Sequence, residues 1–137
     1  MKYPKSPQDK TGGIVYFGRM LDKIRLMAAG ELHPDLHANL GKAFDQRCVD
    51  FLGVEYDALQ GKVLEGLDDG QALEWCFENG HRPTGEQIEV WNGFMSKRGW
   101  NDEASEILAR RKKESGFESR NDIQTMFQYI DADEGRL

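Results

Sequence analysis

The residues best suited to chemistry lie between Gly12 and Gly30, in the stretch GGIVYFGRMLDKIRLMAAG. Arg19, Asp22, Lys23 and Arg25 sit there among apolar neighbours. Arg19 and Asp22 are three apart, as are Asp22 and Arg25, so on a helix they can pair along one face. Charges set among apolar residues lose hydration and need partners. Two arrangements meet that need. In one, Arg19 and Arg25 clamp a carboxylate or phosphate, Lys23 adds charge, and Asp22 orients an arginine or acts as a base. In the other, the same side chains form internal ion pairs with the acidic segment 45–89.

Other chemistry-bearing residues are scattered. His33 and His37 are four apart with Asp35 between them, a spacing that serves a metal on a helix. Pro34 makes His33 a residue before the helix, so both read as surface histidines and no metal site is expected. Cys48 and Cys76 form no CxxC pair and read as buried, inert thiols of a reduced chain. The segment WNGFMSKRGW, residues 91–100, places Trp91 and Met95 on one face, Phe94 beside them and Trp100 after a glycine. Packed inward, these four are core; exposed, they mark an interface. Arg110, Arg111, Lys112 and Lys113 form the only basic run, at a helix end where the macrodipole favours cations. The closing IDADEGRL opens like a calcium loop, but its glycine comes one position early and no bidentate Glu follows, so it is not an EF-hand. Arg136 becomes a further anion ligand if the tail folds back.

The elements that must position these residues are helical throughout. Residues 1–13 read as an irregular lead-in. Helix one is expected over 14–29, with Ile14, Tyr16, Phe17, Met20, Leu21, Ile24, Met27 and Ala28 on a broad apolar arc. Val15 and Leu26 lie opposite that arc, and a helix apolar on both sides is central to its bundle. Further helices are expected over about 35–43, from an Asp45 cap to Gly53, over 55–66, and from Asp68 or Asp69 to Gly80. Thr84 and Gln87 fit a capping box for a helix to about Arg98, which faces Ile88, Trp91 and Met95 inward. Asn101 caps a helix ending near Gly116, and a last helix is expected near 120–131. No alternating strand pattern of useful length occurs; TGGIVYF alone has β-like composition.

The chain has 137 residues and a net charge of −6, which disfavours nucleic acid as the main partner. The charge is uneven: net +4 over residues 1–30, −9 over 31–90 and −1 over 91–137. The basic first segment therefore has an acidic middle to meet. MKYPKSPQDKTGG has no apolar h-region and no helix candidate is long enough to span a bilayer, so the chain reads as soluble and cytoplasmic, without membrane contact.

Several segments taken together carry a resemblance. SPQDKTGG, YFGRMLDKIRLMAAG, FLGVEYDAL, EWCFENG and the closing NDIQTMFQYIDADEGR resemble a family of small bacterial proteins known only as a domain of unknown function, the one numbered five thousand and sixty-nine. RMLDKIR and IDADEGR are its most specific pieces. The resemblance implies a bacterial, cytoplasmic, stand-alone domain. It implies no reaction, ligand, cofactor or catalytic residue.

The expectation is an all-α fold, a single-domain bundle of about six or seven short helices over 14–137. No nucleophile, metal, cofactor or phosphate-loop signature occurs. The leading functional reading is therefore a binding module, with a protein partner or a second copy on Trp91, Phe94, Met95 and Trp100. The alternative is an enzyme or small-ligand binder with an anion site at Arg19, Asp22, Lys23 and Arg25.

Overall fold

The chain departs from helix where two glycines fall together. In the computed structural model, which describes residues 1–137, Gly12 and Gly13 both have positive φ, 56° and 81°. That is the conformation of a tight two-residue hairpin, which glycine adopts at no steric cost. It pairs β1 (Lys10–Thr11) with β2 (Ile14–Val15) in antiparallel register. The first helix therefore begins at Phe17 and not at Ile14 as the periodicity suggests; α1 spans Phe17–Ala28. The remainder is helical: a 3₁₀ helix at Pro34–Asn39, α2 (Phe44–Leu52), α3 (Tyr56–Leu64), α4 (Asp69–Asn79), α5 (Gly85–Lys97), α6 (Ser105–Glu114) and α7 (Met126–Asp133). It is an all-α fold with one short hairpin, in a single domain. No helix is long and apolar enough to cross a membrane.

Local chemistry accounts for most helix ends. Asp68 with Gln71, Thr84 with Gln87, and Thr125 with Gln128 each form a reciprocal capping box, satisfying backbone N–H groups that a helix start leaves unpaired. Two expected caps are replaced. Asp45 does not cap α2; Ala43 precedes that helix, and the Asp45 side chain is buried instead. Asn101 does not cap α6; the Asp102 carboxylate accepts from the Gly99 and Ala104 N–H groups there. The last helix starts at Met126 because Thr125 caps it, so Ile123 is buried from the preceding turn.

Helix α1 lies at the centre. Phe17, Met20, Leu21 and Ile24 are buried against α3 and α4, together with Leu59, Ala72, Leu73 and Cys76. Its last turn emerges, leaving Met27 exposed. α5 closes another side, packing on β2 and α7 through Trp91 and Met95. A smaller cluster of Leu108, Ile123, Met126, Tyr129 and Ala132 joins α6 to α7.

The lead-in is held between the first helix and the last. Pro4 and Pro7 are buried. The Asp131 carboxylate accepts from Ser6 Oγ at 3.0 Å and Gln8 Nε2 at 2.9 Å. Arg136 folds back onto Asp131, Glu134 and the Pro4 carbonyl, so its donors are taken within the chain. Arg19 makes a two-pronged bond to Glu134, 2.8 and 2.6 Å, and also donates to the Lys5 carbonyl. Both partners are only 3% exposed.

Breaking a buried pair leaves one charge desolvated and unmatched, at a cost of about 3–5 kcal/mol. Glu134→Ala is therefore expected to lower unfolding free energy by about that amount in urea titration. Arg82→Ala, which removes an exposed pair with Glu74, leaves the midpoint essentially unchanged.

Candidate functional site

Three segments meet at one buried carboxylate. Asp45, in the first turn of α2, is fully buried. Its oxygens accept from Tyr16 Oη at 2.6 Å, from Lys23 Nζ at 3.0 Å and from the Gly41 N–H at 2.9 Å. Backbone geometry makes this possible. Tyr16, the residue before α1, has φ 77°, and Ala43, the residue before α2, has φ 52°. Such conformations cost a non-glycine residue about 1–3 kcal/mol and persist only where the surroundings enforce them. Here the enforcement is visible: the Tyr16 ring lies against Phe44 and Phe127, and its hydroxyl is bound to Asp45.

Burial sets the protonation of this group. It pushes the Lys23 pKa down, an effect Asp45 opposes but does not cancel. It pushes the Tyr16 hydroxyl well above its ordinary value, and the Asp45 charge adds to the rise. Tyr16 is thus a firmly protonated donor at neutral pH.

Tyr16, Arg19 and Lys23 form the floor of a cleft of about 520 Å³ between the 3₁₀ helix, α2, α6 and α7. Leu36, Phe44, Ile107 and Met126 supply apolar wall. Lys42, Arg47, Arg98 and Arg111 bring four more cations, against Asp35, Asp133 and Glu134. The cleft lining is net cationic although the chain is net −6. Lys42, Arg47 and Arg111 have no carboxylate within 4.0 Å, and Arg98 has only Asp102 at 3.6 Å. The Arg47 and Arg98 guanidiniums lie 5.2 and 5.5 Å from the centre of the Phe94 ring, which orients both. Burial raises the Asp133 pKa, with Glu134 and Asp35 adding to the rise.

The four charges of helix one divide between two sides. Arg19 and Lys23 face the cleft floor, each matched to a carboxylate. Asp22 and Arg25 lie elsewhere, in a network where Arg25 donates to Asp69 at 2.7 Å and to Asp22 at 3.3 Å. Lys5 joins the same network through Asp69 and Asp22. The aromatic segment divides too. Trp91 and Met95 are core, with Trp91 stacked on Phe51 and its indole N–H donating to the Val15 carbonyl. Phe94 and Trp100 are exposed. His33 stacks on Tyr3 while His37 Nε2 donates to the Leu32 carbonyl, so the two imidazoles serve different partners. Cys48 and Cys76 are free thiols; burial pushes Cys48 well up and Cys76 to about 12, far from thiolate reactivity. The basic run is split: Lys112 donates to the Arg120 and Ile123 carbonyls, Arg110 faces Glu114, and Arg111 reaches the cleft.

Sequence reasoning passed over Tyr16, Lys42, Asp45 and Arg47. The only signal was that Lys42 and Arg47 are two of four basic residues in the acidic segment 31–90. Nothing in the sequence marked Tyr16.

One family model, described as a domain of unknown function (DUF5069), matches residues 1–136. No curated protein matches the chain.

Two outcomes follow from the buried group. Lys23→Met leaves Asp45 without its cation and is expected to cost about 3–5 kcal/mol in urea titration; adding Asp45→Asn recovers part of it. The raised Tyr16 pKa stabilises the fold fully below the ordinary tyrosine range. That stability drains as pH climbs through it toward the folded value, because there the unfolded chain releases a proton that the folded chain keeps. Lys23, with its lowered value, contributes the opposite slope just below the ordinary lysine range. The Tyr16 part is therefore the difference between wild type and Tyr16→Phe: the variant loses less stability between about pH 9 and pH 11 in thermal melts.

Proposed function

We propose, for a chain that belongs to the DUF5069 family and inherits no named activity from it, that the molecule works by binding a small anionic ligand. The site is the cleft above Tyr16, Arg19 and Lys23. The observation that carries this reading is the set of cations at the cleft without carboxylate partners: Lys42, Arg47 and Arg111, with Arg98 only loosely engaged. Three carboxylates line the cleft, Asp35, Asp133 and Glu134, yet none lies within 4.0 Å of Lys42, Arg47 or Arg111. Gathering like charges costs energy that an anion would relieve.

The rest of the cleft supports the same reading. Its volume falls within the usual range of ligand sites, about 300–1,000 Å³. Apolar wall beside a cationic rim suits a ligand with an apolar body and a carboxylate or phosphate end. Arginines fit such groups two-pronged, and Phe94 holds Arg47 and Arg98 in place before a ligand arrives. The clamp differs from the expected one. Arg19 is matched by Glu134 and Arg25 by Asp69, so the ligand-facing cations are Arg47, Arg98 and Arg111 with Lys42. The reading as a protein-interaction or self-associating module has separate support, in the exposed face of α5.

The test is a thermal-shift screen of carboxylates and phosphate monoesters, followed by calorimetry on each compound that raises the melting temperature. Arg47→Gln and Arg111→Gln are each expected to weaken binding about tenfold or more, as loss of a charged hydrogen bond does. Arg25→Gln, in the other charge network, leaves affinity unchanged. The reading fails if no anion shifts the melt, or if Arg25→Gln weakens binding as much as the cleft variants do.

A further inference from the structure

We propose that two copies of this chain pair through α5, with the helices antiparallel about a two-fold axis level with the Trp91–Asn92 peptide. Glu86, Val90, Gly93 and Lys97 lie along one outward stripe of α5, at spacings of four, three and four. That is the spacing of a two-helix seam. Val90 is 66% exposed, the most exposed large apolar side chain of any helix here. Gly93 lies in the middle of the helix, where glycine is destabilising relative to alanine. Nothing lies within 4 Å of the position a Cβ would take there, so no contact within the chain requires the glycine.

The stripe is complementary to itself in one direction only. The positions sum equally from both ends, so antiparallel pairing sets Val90 of each copy on Gly93 of the other. The same register sets Glu86 of each copy against Lys97 of the other, and all four contacts are made at once, as a two-fold interface demands. Parallel pairing would bring Glu86 to Glu86 and Lys97 to Lys97. The helix dipoles also favour the antiparallel pair. On one edge, Phe94 of each copy comes over Gln87 and Val90 of the other. Those residues border an apolar groove of about 510 Å³ between α5 and Phe51. A second copy thus fills the groove, covers Val90 and uses the close approach that Gly93 allows. This pairing is independent of what the cleft binds, since Glu86, Val90, Gly93 and Lys97 all lie outside the cleft lining.

A seam of one helix per copy is a small interface, and small interfaces associate weakly. The experiment is sedimentation equilibrium from micromolar to millimolar protein. Wild type is expected to go from monomer to dimer across that range. Glu86→Lys and Lys97→Glu each set like charges together and are expected to raise the dissociation constant about tenfold or more. The double variant restores the dimer, because the charges again alternate. Gly93→Gln abolishes the dimer while its melting temperature as a monomer stays level or rises, which separates lost pairing from lost fold. A wild type that stays monomeric throughout overturns the proposal. So does a dimer that survives the single charge reversals and Gly93→Gln.

Discussion

A carboxylate removed from water must be answered on every side, and Asp45 is the point in this fold where that demand is greatest. Four hydrogen bonds converge on it from Tyr16, Lys23 and the Gly41 N–H. These groups come from the end of the hairpin, from α1 and from the turn before α2. None can shift without leaving a buried polar group unmatched. The two strained residues, Tyr16 and Ala43, mark what the arrangement costs locally. The residues that lead into α1 and into α2 are thereby tied to one group.

The second buried pair works at the other end of α1's charged side. Arg19 binds Glu134, and Arg136 turns back onto Glu134, Asp131 and the lead-in. The closing IDADEGR, which resembles a metal loop at first sight, is a fastening: its Asp131 and Glu134 carboxylates meet cations and donors of this chain. With both ends held on α1, the first and last segments form one layer. The cleft lies between that layer, α2 and α6. Two matched cations make its floor, and the unmatched ones gather at its rim.

The contrast between matched and unmatched charges separates scaffold from site. Arg19, Lys23 and Arg25 look alike in the sequence, yet each ends on a carboxylate of the fold. Lys42 and Arg47 attract no notice in the sequence and Arg111 shows only as part of a basic run, and they are the ones left without a carboxylate partner. Phe94 connects the two kinds of surface. Its ring supports Arg47 and Arg98 beside the cleft, while its exposed edge belongs to the outward face of α5. The two proposals therefore meet at Phe94 and share no other residue.

Helix number and class were legible in the sequence because they follow from local chemistry. Apolar spacing of three and four, the capping residues Asp68 and Thr84 and the terminating glycines act within a few residues. The central place of α1 was legible too, in the broad apolar arc of Phe17, Met20, Leu21 and Ile24, although Val15, read as its opposite side, belongs to β2. Its true start was not, because Gly12 and Gly13 make a hairpin only when β2 has α5 to pack against. The cleft was illegible for a stronger reason. Whether an arginine is a clamp or a strut depends on which carboxylate lies within about 3 Å of it. For Arg19 that partner is 115 residues away, a distance no periodicity spans. Apolar neighbours alone require partners for Arg19, Lys23 and Arg25; that Glu134, Asp45 and Asp69 supply them, and that Arg47 and Arg111 have none, follows from the packing of α7, α2 and α4 around α1.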